Sequence, residues 1–206
     1  MGQLYTIGHS TFPQEHLIEL LKQYKIDHLL DVRSMPYSRY ASQYNSDVLK
    51  KVLLNVGIQY THMAKSFGAR QEAEEFYPEG YLDFELFRKS PQFIKGRDNV
   101  IKGLEQFNVA LMCTEKNPID CHRAIMVARG FELAGVDVKH ILHDGGSLEQ
   151  KELNKMLVDR YFPERGQLSF FQEENKTEEE YLEEAYRMRN SEIGYRRGAD
   201  KEGGGT

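Results

Sequence analysis

Two thiols, a carboxylate, an imidazole and a guanidinium crowd the segment Cys113-x-Glu115-x-x-Pro118-x-x-Cys121-His122-Arg123. If Asp120 caps a helix, Cys121, His122 and Arg123 fall in its first turn. There the free backbone N–H groups and the helix dipole favour an anion and depress a thiol pKa. Cys121 then reads as a reactive thiol. Cys113, directly after Val109-Ala110-Leu111-Met112, reads as a small buried hydrophobe. The spacing of the two cysteines is not the Cys-x-x-Cys of zinc or redox motifs. A metal site from Glu115, Cys121 and His122 is the less favoured reading. No metal is expected, and the cofactor is left open.

A second set of polar residues follows two apolar runs. His9 and Ser10 come after Leu4–Gly8, and Asp31-Val32-Arg33-Ser34-x-Pro36-x-Ser38-Arg39 ends the run that begins at Ile26. His9 could act as a general base, ligate a metal or be a hydrogen-bonded structural histidine. Asp31 could orient it or simply cap a loop. Arg33 and Arg39 among serines suit a phosphate or carboxylate, because a guanidinium forks its donors onto two oxygens. Arg33 fits equally well as the partner of Asp31 in a salt bridge that fixes the loop. The expected catalytic groups are His9, Asp31, Glu115, Cys121 and His122. The expected substrate-binding groups are Ser10, Arg33, Ser38, Arg39 and Arg123. Tyr60, Tyr77, Tyr81 and Phe84 could stack a base or seal a loop onto the core.

The elements that must position these groups alternate along the chain. Leu4–Gly8, Ile26–Val32, Val109–Cys113 and Val136–Leu142 read as apolar strands, and Ile58–Met63 is a shorter strand candidate. Between them Leu17, Leu20, Leu21 and Tyr24, then Leu49, Val52, Leu53 and Val56, recur at helical spacing. The pattern predicts an α/β fold: a mainly parallel sheet with helices on both faces. Ser147-x-x-Gln150 and Thr177-x-x-Glu180 look like capping boxes that open a C-terminal helical appendage. Residues 1–196 read as a single α/β domain and 197–206 as a disordered tail. Ser66–Lys89 is too long for a simple connection and reads as a lid or binding loop. Each reactive group falls at a strand's carboxyl end, where open parallel sheets bind ligands. One cleft holding His9, Asp31, Arg33, Glu115 and Arg123 is therefore expected.

Composition narrows the class. The 206 residues carry 27 Lys+Arg against 32 Asp+Glu, a formal charge of −5 that disfavours non-specific duplex binding. No run approaches the roughly 18 apolar residues of a membrane span. No secretory signal opens the chain, and two cysteines are too few for a disulfide framework. A cytoplasmic protein with no membrane partner is expected, and its oligomeric state is left open.

Taken together, Thr6-Ile7-Gly8-His9-Ser10, the Asp31–Arg39 segment and the Cys113–Arg123 segment resemble the prokaryotic family catalogued as domain of unknown function 488. The resemblance implies one α/β domain. Its polar site would hold His9, Ser10, Asp31, Arg33, Arg39, Cys113, Glu115, Cys121, His122 and Arg123, together with His140. Lys65-Ser66-Phe67-Gly68 departs from the family's usual Leu-Gly-Gly-type turn. The family brings no settled activity. The leading expectation is an enzyme acting on a phosphate-bearing small molecule, nucleotide or nucleic-acid end. The alternatives are a non-catalytic nucleotide or nucleic-acid binding module, and thiol or sulfur-transfer chemistry at Cys121.

Overall fold

A computed structural model describes residues 2–165 and 176–197. Of the tail expected over 197–206, Arg197 is placed over the Tyr77 ring (4.5 Å to the centroid), and residues 198–206 lie outside the described residues. Strands β1 (Leu4–Gly8), β2 (His28–Asp31), β3 (Gln59–His62), β4 (Val109–Cys113) and β5 (Val138–Ile141) run parallel. A short β6 (Ser147–Glu149) adds antiparallel to β5, giving the order β3-β2-β4-β1-β5-β6. Every residue of β4 is buried, as expected for a central strand covered on both faces.

One face is covered by α1 (Gln14–Gln23) and α2 (Ser46–Asn55). Their Leu17, Leu20, Leu21, Leu49 and Leu53 pack on Ile7, Leu29 and Met112. The chain after β3 crosses to the other face through α3 (Ala64–Phe67), α4 (Phe84–Arg88) and α5 (Pro91–Gly103). After β4 it stays there as a π-helical stretch, Arg123–Ala128, that runs into α6 (Arg129–Glu132). These elements enclose Leu30, Val32, Leu111 and Cys113. Since the chain leaves β1 and β4 toward opposite faces, the gap between these neighbours is the topological switch point. That is where open α/β sheets bind ligands.

Helices α7 (Gln150–Tyr161) and α8 (Glu178–Ile193) complete the second face. Leu153, Leu157, Val158, Ala185 and Tyr186 are buried in the same core. Buried Arg129 fastens α8 through Glu183 (2.5 Å) and stacks over Tyr186. Thr177 and Glu180 form the expected capping box. Ser147 does not cap α7: it is paired in β6, and the box is made by Glu149 and Glu152.

Ser66–Lys89 is not a lid. Phe67, Phe76, Tyr77, Leu82, Phe84 and Phe87 are all buried, with edge-to-face pairs such as Phe76–Phe87 at 5.2 Å between ring centroids. Six large apolar side chains gain too much from burial for the segment to stand away from the sheet.

Candidate functional site

Successive side chains of a strand point to opposite faces, and that parity divides the carboxyl edge into two clusters. His9, Asp31 and Arg33 fall on the α1–α2 face. Gly8, Val32, Cys113 and Glu115 fall on the other. The groups expected in a single cleft thus form two clusters, with Arg33 in one and Arg123 in the other, although the Arg123 charge still acts on His9.

On the α1–α2 face the polar groups consume one another. The Arg33 guanidinium grips the Asp31 carboxylate at two points, Nε to Oδ1 (2.8 Å) and Nη2 to Oδ2 (2.5 Å). It also donates to the Tyr44 carbonyl and to His9 Nε2 (3.1 Å). Tyr60 donates its hydroxyl to Asp31 Oδ2 at 2.7 Å. Burial works against the Arg33 charge, and Asp31 outweighs it, so its pKa is raised. His9 donates from Nδ1 to the Ser10 carbonyl, stacks on Tyr44 with centroids 4.1 Å apart, and has both nitrogens engaged. Ser10 adopts φ 50°, which turns the chain back over β4. The salt-bridge reading of Arg33 is the one the geometry supports. Ser38 Oγ accepts from the Tyr40 and Ala41 amides and shapes the loop. Arg39 is exposed and makes no hydrogen bond or ion pair among the described residues.

Two of the histidines carry a pH dependence. Burial, then Arg33, lowers the His9 pKa from 6.5 to about 4. Burial, then Arg123, lowers His140 from 6.5 to about 3, and its ring bridges Thr6 Oγ1 and Gln150 Oε1. Below the unfolded value the unfolded chain binds protons that the native state refuses. Their contribution is thus complete above pH 6.5 and is lost as pH falls toward these native values. Urea unfolding at pH 7 and pH 5 should show this loss, with each ring contributing at most about 1.4 kcal/mol per pH unit. His140→Gln should make the profile shallower; an unchanged slope would mean that His140 charges freely in the native state.

On the opposite face Cys113 Sγ, Cys121 Sγ, Glu115 and His122 each bring a donor atom within 4.8 Å of the others. Glu115 Oε2 accepts from Cys121 Sγ at 2.8 Å and from Cys113 Sγ at 3.1 Å. His122 Nδ1 faces the same sulfurs at 4.0 and 3.6 Å. Its Nε2–H donates to the Val32 carbonyl at 3.1 Å, which fixes the ring and turns the Nδ1 lone pair inward. Cys113, Cys121 and His122 are buried, whereas Glu115 is exposed.

The expected helix start is displaced. Pro118–Asp120 forms a 3₁₀ turn, Cys121 is extended at φ −134° and ψ 138°, and the π-helical stretch begins only at Arg123. Arg189 of α8 holds that turn by donating to the Ile119 carbonyl (2.9 Å) and Asp120 Oδ1 (2.5 Å). Cys121 is therefore not an accessible thiol at a helix terminus; only 1 % of it is exposed. Burial opposes its ionisation, but Cys113, Arg123 and His122 outweigh that and lower its pKa. Burial and the neighbouring Cys121 push Cys113 the other way. For His122, burial is outweighed by Cys121 and Glu115, which raise its pKa.

Arg123, expected as a substrate-binding group in a first helical turn, is fully buried. It donates to the backbone carbonyls of Glu115 (2.6 Å) and Lys116 (3.1 Å), and its amide points at Cys121 Sγ (3.4 Å). Arg33 and Arg123, both expected to bind substrate, donate instead to groups inside the fold, with only Arg123 Nε left unpartnered. Gly8 makes this packing possible, since a Cβ there would stand 1.9 Å from the Glu115 carbonyl oxygen and 3.0 Å from Arg123 Nη1. Gly8→Ala should cost about 1–3 kcal/mol through overpacking, read as a lower denaturant midpoint.

Sequence reasoning set Cys113 aside as core and overlooked Tyr44, which both stacks on His9 and receives Arg33. It also missed the Val32 carbonyl that orients His122. Cavities among the described residues also lie away from these clusters. One of about 440 Å³ sits over Gln3, Val136 and Lys139 at the amino edge, and the chemically dense cluster is compact and largely enclosed.

A protein-family model described as Domain of unknown function DUF488 matches residues 13–129, more than half of the chain. No curated protein matches it. No helix among the described residues is long and apolar enough to cross a membrane.

Proposed function

The chain belongs to the DUF488 family, a domain of unknown function, and we propose that it is a metalloprotein holding one thiophilic divalent ion of the zinc class. The ligands would be Cys113, Cys121, His122 and Glu115. The observation that carries this is the convergence of the four donors, three of them buried, with His122 Nε2–H committed to a carbonyl. That second bond is the usual device for aiming a metal-bound imidazole.

The dimensions agree. Bonds of about 2.0–2.3 Å imply tetrahedral edges of about 3.3–3.8 Å. The 3.6 Å S···N edge falls at that size and the 4.0 Å one must shorten slightly, while the S···O edges of 2.8 and 3.1 Å need the exposed carboxylate to back off slightly. Two thiolates with an imidazole select zinc-like ions over magnesium or calcium.

The charges agree as well. Two thiolates, one carboxylate and a divalent ion leave a net charge of minus one. The Arg123 guanidinium, a buried cation bonded to the Glu115 and Lys116 carbonyls, stands beside it, and the Arg123 backbone amide points at Cys121 Sγ. An isolated buried guanidinium is costly, and an anionic centre offsets that cost. Elemental analysis of protein purified without chelator tests the proposal. One equivalent of metal is expected in the wild type and none in Cys121→Ser. Equal metal contents would place the ion elsewhere.

Thiol chemistry is the second reading, favoured by the lowered Cys121 pKa. Rapid alkylation of Cys121 in metal-loaded protein would favour it, whereas protection by the metal is expected.

A further inference from the structure

We propose that Glu115 is the exchangeable ligand of this centre, so that a small monoanionic oxygen or nitrogen donor can take its place on the metal; this rests on the metalloprotein reading above. The four ligands are not equivalent. Cys113 terminates β4, which is buried throughout, and Gly8 and Val32 flank it on the neighbouring strands. Cys121 and His122 are held from below by Pro118–Asp120, by Arg189 and by the Val32 carbonyl. None of these three can withdraw without moving the core.

Glu115 can. It is the exposed member, and only one carboxylate oxygen, Oε2, faces the sulfurs. Oε1 has no hydrogen-bond partner among the described residues. Meanwhile the backbone around Glu115 is pinned. Its carbonyl takes Arg123 Nη1 at 2.6 Å, and the Thr114 carbonyl takes the Ser10 amide at 2.8 Å. The side chain can therefore rotate toward solvent while the loop stays in place. An open position on a metal otherwise held by three protein ligands distinguishes a catalytic from a purely structural zinc site.

Charge sets the class of the incoming ligand. The carboxylate brings one negative charge, and the resulting minus one on the centre is matched by buried Arg123. A replacement that keeps this balance is itself a monoanion: a carboxylate, an azide-like anion, or hydroxide formed when a bound water gives its proton to solvent. A dianion such as phosphate would overcharge an enclosed site with a single buried guanidinium next to it.

Cobalt substitution gives a direct readout, because the visible bands of tetrahedral Co²⁺ report each change of ligand. Wild type, Glu115→Ala and Cys121→Ser would be loaded with Co²⁺ and titrated with azide, acetate and, as a neutral control, imidazole. Expected are stoichiometric cobalt in wild type and Glu115→Ala, and saturable band shifts with azide and acetate. The shifts should come at roughly tenfold lower concentration in Glu115→Ala, where no carboxylate competes. Absence of cobalt from the wild type would overturn the metalloprotein reading itself. Cobalt in the wild type but none in folded Glu115→Ala would make Glu115 an obligatory ligand and overturn the exchange. So would cobalt-loaded Glu115→Ala whose bands ignore both anions, or respond to imidazole alone.

Discussion

Replacing Asp31 with alanine is expected to destabilise the protein by about 3–5 kcal/mol, the cost of breaking a buried ion pair by removing one partner. Asp31 is fully buried and Arg33 is 6 % exposed, so water cannot take over the role of the carboxylate. The loss removes the acceptor of three Arg33 donors, its amide, Nε and Nη2, and of the Tyr60 hydroxyl together. It also loosens Arg33 from His9 and from the Tyr44 carbonyl, which ties β2 to the turn before α2. Urea unfolding followed by circular dichroism gives the number. A loss below about 1 kcal/mol would mean that Arg33 finds solvent or another acceptor.

Removing the metal should be of similar size. A native state holding its ion at about 1,000 times the dissociation constant gains about 4.1 kcal/mol over the unfolded chain. For a domain of this length each kcal/mol shifts the melting temperature by roughly 2–4 °C. A strong chelator should therefore lower the wild-type melting temperature by about 8–16 °C, and zinc should restore it. Cys121→Ser should melt low from the start and ignore both additions. If wild type and variant respond alike to chelator, the stabilising ion is not at these residues.

Much of the scaffold was legible because its signals are local. Apolar runs such as Val109–Cys113 marked parallel strands, and Leu17, Leu20 and Leu21 gave the covering face of α1. The family resemblance agrees with the matched family, whose match over residues 13–129 includes the Asp31–Arg39 and Cys113–Arg123 segments. The site was legible in its members and not in its partition. Asp31 and Arg33, like Cys113 and Glu115, stand two residues apart, and period-two alternation alone places each pair on one face. Which pairs share a face depends on strand order and register, such as Gly8 opposite Cys113 and Asp31 opposite Met112, and these are long-range. Arg123 misled for a related reason. A guanidinium near a helix start reads as a ligand clamp until Gly8 leaves the space in which it reaches the Glu115 carbonyl. Cys113 is buried, as a thiol after four apolar residues should be.

X-ray absorption at the zinc edge of zinc-loaded protein tests the central claim most directly, because it counts sulfur and light-atom neighbours around the ion itself. Two sulfurs at about 2.3 Å and two nitrogen or oxygen neighbours at about 2.0–2.1 Å are predicted, with one sulfur lost in Cys113→Ser if that variant retains zinc. A shell of nitrogen and oxygen alone, as for zinc held on surface histidines and carboxylates, would contradict it.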